Sequence, residues 1–242
     1  MAKKERAVQK HKDPAEFKLV VAKTKPSGKK ILCLGADLGT TTGYAYAWIP
    51  PGELYDPSKH ETHLGLWDCS AGQFDSGAIR FLRLRYFLSM VSPELVFFEH
   101  VRFTPPSEMM RLGVAAVLAR SATSTEFFGA MMGTATAWCE EHGVAQASVP
   151  IKTIKLRATG KGNANKEAVI KAAGERLGLN FDVTEPGLDN ACDAFWALTV
   201  GVEEIRPGLK PVEHVDVVEP IRIEHKGKKT RKLVPLESED DE

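Results

Sequence analysis

The chain has 242 residues, enough for one sizeable domain with tails, and its 43% hydrophobic and 26% charged content matches soluble globular proteins. Its longest apolar stretches, such as Val114 to Ala119, fall far short of the roughly 20 residues a membrane helix needs. The lysine-rich start is unlike a signal peptide, so a cytoplasmic protein without a membrane partner is expected. Thirty-two basic side chains balance thirty-two acidic ones, but lysines crowd the first thirty residues and Glu237 to Glu242 is acidic, so neutrality does not exclude nucleic acid. Cys33, Cys69, Cys139 and Cys192 form no CxxC pair, which argues for reduced structural thiols over zinc or disulfides.

Residues 1–29 are charged and lack apolar periodicity, the pattern of a flexible basic arm. The folded domain is expected over residues 30–206. Ile31 to Ala36 is a short apolar run fit for a central strand, and the turn Asp37 to Gly43 leads into a second strand, Tyr44 to Ile49. After a proline-rich loop, Leu64 to Cys69 returns as a third strand. From Ser76 to Val91 the spacing of Ile79, Leu82, Phe87 and Met90 predicts a helix.

Leu95 to Phe98 is a buried-strand run ending in Glu99, and Thr123 with Glu126 forms a capping box for a helix to about Glu141. That helix clusters Phe127, Phe128, Met131 and Met132, which suits either a dimer surface or burial in its own core. Val144 to Val149 is the next strand; Lys166 to Leu177 and Asp189 to about Glu204 are helices. Pro207 and Pro211 break the domain, leaving residues 207–242 as a charged tail. In it Ile221 to Ile223 and Leu233 to Leu236 could pair as a small hairpin, and a disordered tail is equally consistent. This order implies an α/β fold, with a mixed sheet antiparallel in its first three strands and covered by helices.

Four acids stand where a carboxylate is costly. Asp37 and Glu99 close apolar strands; Asp189 and Asp193, four apart on an apolar helix, share a face. Taken singly, Asp37 reads as a turn residue, Glu99 as a strand-end charge and Asp189 as an N-cap. Taken together, converging carboxylates repel one another or take up protons unless Mg²⁺ or Mn²⁺ neutralises them. Two such ions about 4 Å apart can activate water and stabilise the leaving oxygen of a phosphodiester.

Asp37-Leu38-Gly39 after an apolar strand, Phe98-Glu99 ending another, and Asp189-Asn190-Ala191-Cys192-Asp193-Ala194 late in the chain resemble the RuvC family of Holliday-junction resolvases. Val149-Pro150-Ile151-Lys152, Thr159-Gly160-Lys161-Gly162 and Asn165-Lys166-Glu167 look like that family's strand, glycine-rich loop and lysine-headed helix. The resemblance spans roughly residues 30 to 205. It implies a ribonuclease H-like fold with a five-stranded mixed sheet, a homodimer, and paired Mg²⁺-dependent nicks across a four-way DNA junction, with two ions per site and Mn²⁺ able to substitute. Asp37, Glu99, Asp189 and Asp193 would be the catalytic metal ligands, and Lys166 a catalytic lysine that stabilises phosphate charge. The last pair departs from the family's usual spacing of three, because Asn190 holds that position. A phage or mobile-element member, acting in the host cytoplasm, would fit the same pattern.

Lys152, Lys155, Arg157, Lys161 and Lys166 flank the Gly160 to Gly162 loop and suit phosphate contact, with a solvated basic loop as the plainer reading. Phe103 resembles an aromatic that the family inserts against junction bases, and ordinary packing would serve it equally. His100 should point away from Glu99, which favours a structural role over that of a general base. The arm's lysines fit either nonspecific DNA affinity or solubility. Three rival functions share parts of these signals: a flap- or RNA-cleaving relative, a junction-binding protein that does not cut, and an actin-like ATPase or sugar kinase with a similar Asp37 to Thr41 turn.

Overall fold

The computed structural model describes residues 4–5, 9–11, 28, 30–100 and 115–208, with side chains described from residue 126 onward in the last of these segments. Phe103 and the 221–223 and 233–236 segments lie outside the described residues. The elements, in chain order, are strands β1 (Lys4–Glu5), β2 (Gln9–His11), β3 (Ile31–Asp37), β4 (Thr41–Ile49) and β5 (Thr62–Asp68), helix α1 (Ile79–Val91), β6 (Leu95–His100) and α2 (Ala115–Glu141). They continue with β7 (Ala145–Pro150), α3 (Ile151–Thr159), α4 (Lys166–Leu177), β8 (Leu179–Asn180) and α5 (Leu188–Val200), which runs on as a π turn over Gly201–Ile205.

The main sheet has six strands in the order β2-β5-β4-β3-β6-β7, one more than the five expected. β3, β4 and β5 are antiparallel, while β3, β6 and β7 run parallel. The sixth strand, β2, comes from the segment read as a flexible arm; it pairs in parallel with β5, and Lys10 reaches Asp68 at 3.3 Å. Three polar residues are too short a run for strand alternation to be visible, so tertiary pairing alone makes this strand. β1 and β8 form a separate two-stranded ladder.

One further expectation is corrected. α2 begins at Ala115, so Thr123 and Glu126 lie inside the helix and do not mark its start. The stretch after β7, for which the sequence reading assigned no element, forms the nine-residue α3, started by extended Pro150 and ended by Gly160 at φ +75°. Among the described residues no helix is long and apolar enough to cross a membrane.

Strand alternation splits the core into two layers. Leu32, Leu34, Ala36, Val96 and Phe98 face α1 and α2, packing with Phe87, Leu88, Met131 and Trp138. Cys33, Ala45, Leu95, Phe97 and Val149 face the other way, onto Ile154 of α3, Ile170 of α4 and Phe195 and Leu198 of α5. All four cysteines are buried free thiols. Met131 is fully buried in this core, with Phe127 and Met132 partly packed against it, so that part of α2 faces its own sheet.

Helix α5 is buried nearly all round and lies directly on the sheet. A Cβ on Gly35 would sit 2.1 Å from the Ala194 carbonyl oxygen, and one on Gly43 would sit 2.0 Å from that of Asn190. Helix backbone therefore rests on bare strand backbone at both points. Gly43→Ala should cost about 1–3 kcal/mol or more by forcing α5 off the sheet, whereas Gly129→Ala in α2, where a Cβ meets nothing within 4 Å, should be neutral or stabilising. Denaturant midpoints for both variants check this difference.

Candidate active site

Two of the predicted acids are brought together by strand arithmetic. Asp37 ends β3 on the face shared by Cys33 and Gly35, and Glu99 lies on the matching face of β6 beyond Leu95 and Phe97. The parallel register pairs Gly35 with Phe97 and Ala36 with Phe98, so its next step sets Asp37 beside Glu99. Both stand at the carboxyl ends of parallel strands, where sites of open α/β sheets gather.

The third and fourth acids come from α5. Asn190 lies over Gly43, the cross-strand partner of Asp37, and Ala194 lies over Gly35. Asp193, just before Ala194, is thereby held above the ends of β3 and β6. The Asn190 side chain locks this placement by donating from Nδ2 to the Thr41 carbonyl oxygen at 2.9 Å. In the turn below, Thr42 Oγ1 donates to the Gly39 carbonyl at 2.9 Å. Asp189, in the first turn of α5, pairs instead with Lys166 Nζ. The position three before Asp193 is thus structural, and the acid four before it faces the lysine.

The four acids lie near enough to act on one another's charge. Burial, then Glu99, Asp193 and Asp189, hold the Asp37 carboxyl well above its usual range, while Lys166 opposes them. Glu99 is pushed up to about 7 by burial and by Asp193, against Lys155 and Lys166. Asp193 is raised to about 6 by burial and Asp189, against the same two lysines. Lys166 is raised by its hydrogen bond to Asp189. Among the described residues, Asp37, Glu99 and Asp193 accept no hydrogen bond and join no ion pair. Half-buried carboxylates without partners are unusual.

The donor set is all oxygen, the chemistry that suits a hard divalent cation. Among the described residues, however, no three Asp, Glu, His or Cys side chains stand close enough to hold one ion as they are. The elements have the carboxylates gathered but not drawn into a cage. On donor chemistry and lack of partners the residues fit a divalent cation.

The basic residues divide. Lys166 opens α4, whose start is fixed by Asn165 Oδ1 accepting from the Ala168 N–H at 3.0 Å. Lys155, on α3, is near enough to oppose the charges of Glu99 and Asp193, so it belongs to the carboxylate cluster, a closeness the sequence did not indicate. Lys152 and Lys161 are exposed on the same α3-to-loop surface. Arg157 turns away from the acids and pairs with Glu203, which also binds Arg176. His100, one residue beyond Glu99, takes the alternate face as alternation requires, and its Nδ1 is buried without a partner among the described residues.

No protein-family model and no curated protein sequence matches the chain. Solved structures do. The Thermus thermophilus RuvC structure is 20% identical with a TM-score of 0.48, and T. thermophilus RuvC in complex with Holliday junction substrate is 21% identical with a TM-score of 0.51. Each alignment covers 75% of this chain and 99% of the RuvC chain. A similarity over nearly the whole of that chain shows that residues of this one build the RuvC form of the ribonuclease H-like fold.

Proposed function

We propose that the chain is a structure-selective endonuclease that resolves four-way DNA junctions by metal-dependent phosphodiester hydrolysis. The observation that carries this reading is the trio Asp37, Glu99 and Asp193, unpartnered carboxylates on one face at the strand ends, with Lys155 and Lys166 beside them. The likeness in fold to a RuvC structure solved with a Holliday junction supports the junction as substrate. Two copies of the chain would place two nicks symmetrically.

Asp37, Glu99 and Asp193 would hold Mg²⁺, or Mn²⁺ in its place, with Asp189 joining if Lys166 releases it. Bound there, two such ions supply an activated water and a counter-charge for the leaving oxygen. Lys166, whose exposed side chain pairs with Asp189, would exchange that partner for a phosphate and balance charge developing on its oxygens. Lys155 places a positive charge beside Glu99 and Asp193 and so favours their ionised forms. Lys152 and Lys161 extend the basic surface along the strand backbone, where contacts fix position and not sequence.

A Mg²⁺-dependent assay on an immobile four-way junction, beside linear duplex, flap and single-stranded RNA, tests the reading. Symmetric nicks confined to the junction are expected; preferential cutting of flap or RNA would reassign the substrate, and tight binding without cleavage would make the protein a junction binder. Asp193→Asn and Glu99→Gln should keep junction binding while losing at least about 10²-fold in cleavage rate. Equal cleavage by both variants and wild type would overturn the site.

Without divalent ions the raised carboxylates make stability fall with pH. Folding favours their protonated forms, so the penalty is absent below the unfolded values near 4, grows through about 6 and 7, and is complete above. Its size is on the order of 1–3 kcal/mol, or a few degrees in Tm. Thermal melts in chelator at pH 5 and pH 8 should show this decline. Asp193→Asn should melt higher than wild type at pH 8, and Mg²⁺ should raise the wild-type Tm more than that of the variant.

A further inference from the structure

On the α1 side of the Asp37 turn an open cleft of about 520 Å³ is lined by Asp37, Thr41 and Asn190 on one wall and by Arg80, Phe127 and Phe128 on the other. Phe127 and Phe128 meet edge to face, with ring centroids 5.5 Å apart. The Arg80 guanidinium lies over the Phe127 ring, its central carbon 5.5 Å from the centroid. Of the three arginines on α1, Arg83 pairs with Asp75 and Arg85 with Glu141. Arg80 has no ion pair among the described residues, and its Nε is buried without a hydrogen-bond partner.

An unmatched guanidinium and two partly exposed rings in one cleft call for a ligand with an anionic group and a flat apolar face. A nucleotide of an unpaired strand has both. We propose that this cleft receives one unpaired nucleotide next to the bond to be cut, its base against Phe128 and Phe127 and its phosphate on Arg80. The inference deepens the nuclease reading and rests on it. It also gives that reading a source of structural selectivity: a base held in an intact duplex is stacked on its neighbours and cannot enter, whereas the exchange point of a junction can yield one. Phe127 is partly buried and packs against the core, which holds its ring in place; Phe128 lies outside that cluster and can be shortened without loss of the fold.

The test is binding in chelator, independent of cleavage, with a 20-nucleotide oligo-dT and with a junction carrying 2-aminopurine at the exchange point. Arg80→Gln should weaken oligo-dT binding about five- to tenfold and lower the salt slope by about one phosphate. Phe128→Ala should abolish the quenching of 2-aminopurine seen with wild type. Unchanged affinity, slope and quenching in both variants would overturn the proposal. Unchanged DNA binding with a Phe128→Ala shift from dimer to monomer in sedimentation would assign the cleft to a second copy, and would overturn it equally. Cleavage by wild type, read separately, tests the nuclease reading: its absence would remove that reading while the two binding comparisons still decide whether the cleft holds a nucleotide.

Discussion

The site depends on one contact, the seating of helix α5 on the backbones of β3 and β4. Strand and helix backbones normally stand about 10 Å apart because side chains lie between them. Here Gly35 and Gly43 remove those side chains, and the helix comes down until its carbonyls touch the strands. Asp193 is carried on the segment between the two contacts, so its distance from Asp37 and Glu99 is set by packing and not by its own rotamer. Mutual repulsion among the acids pushes against that seating, and the burial of Phe195, Trp196 and Leu198 on the same helix resists it. The fold thus holds together groups that would separate if left free.

Much of this was legible in the chain, and for a physical reason. β3, β6 and α5 are central, so their apolar runs are long and their periodicity is clean; an acid interrupting such a run is visible as an anomaly. α4, with Asn165 as cap and Gly178 as stop, was read to the residue. What was missed lies at edges and in three dimensions. β2 is three polar residues whose strand state exists only because β5 offers an open edge. α3 is nine residues long, short enough that Pro150 and Gly160 define it more than any pattern does. The place of Lys155 near Glu99 follows from the angle at which α3 leaves β7, which no local signal encodes. The glycines at 35 and 43 were a signal, since glycine inside a strand marks close approach, but which element approached could not be read from them.

The acids and the basic residues around them answer different demands. Carboxylates without partners fix chemistry at a point, while lysines on exposed stems tolerate many positions of a phosphate. Arg157 and Arg176, in contrast, are committed to Glu203 and tie α3 and α4 to the π turn after α5. One sequence segment, residues 151–166, therefore supplies both the exposed cations Lys152 and Lys161 and the arginine that anchors its own helix.

The two short N-terminal strands have a consequence for assembly. β2 docks on residues 65–67, which follow it at short range, whereas β1 docks on residues 179–180 and finds its partner only after the chain has grown past Asn180. Such long-range closure comes late and slowly compared with local helix formation. During synthesis the edge of β5 can therefore be covered by β2 as soon as it forms, while β1 stays without its partner strand, and open to pairing with a neighbouring chain, until β8 has been made.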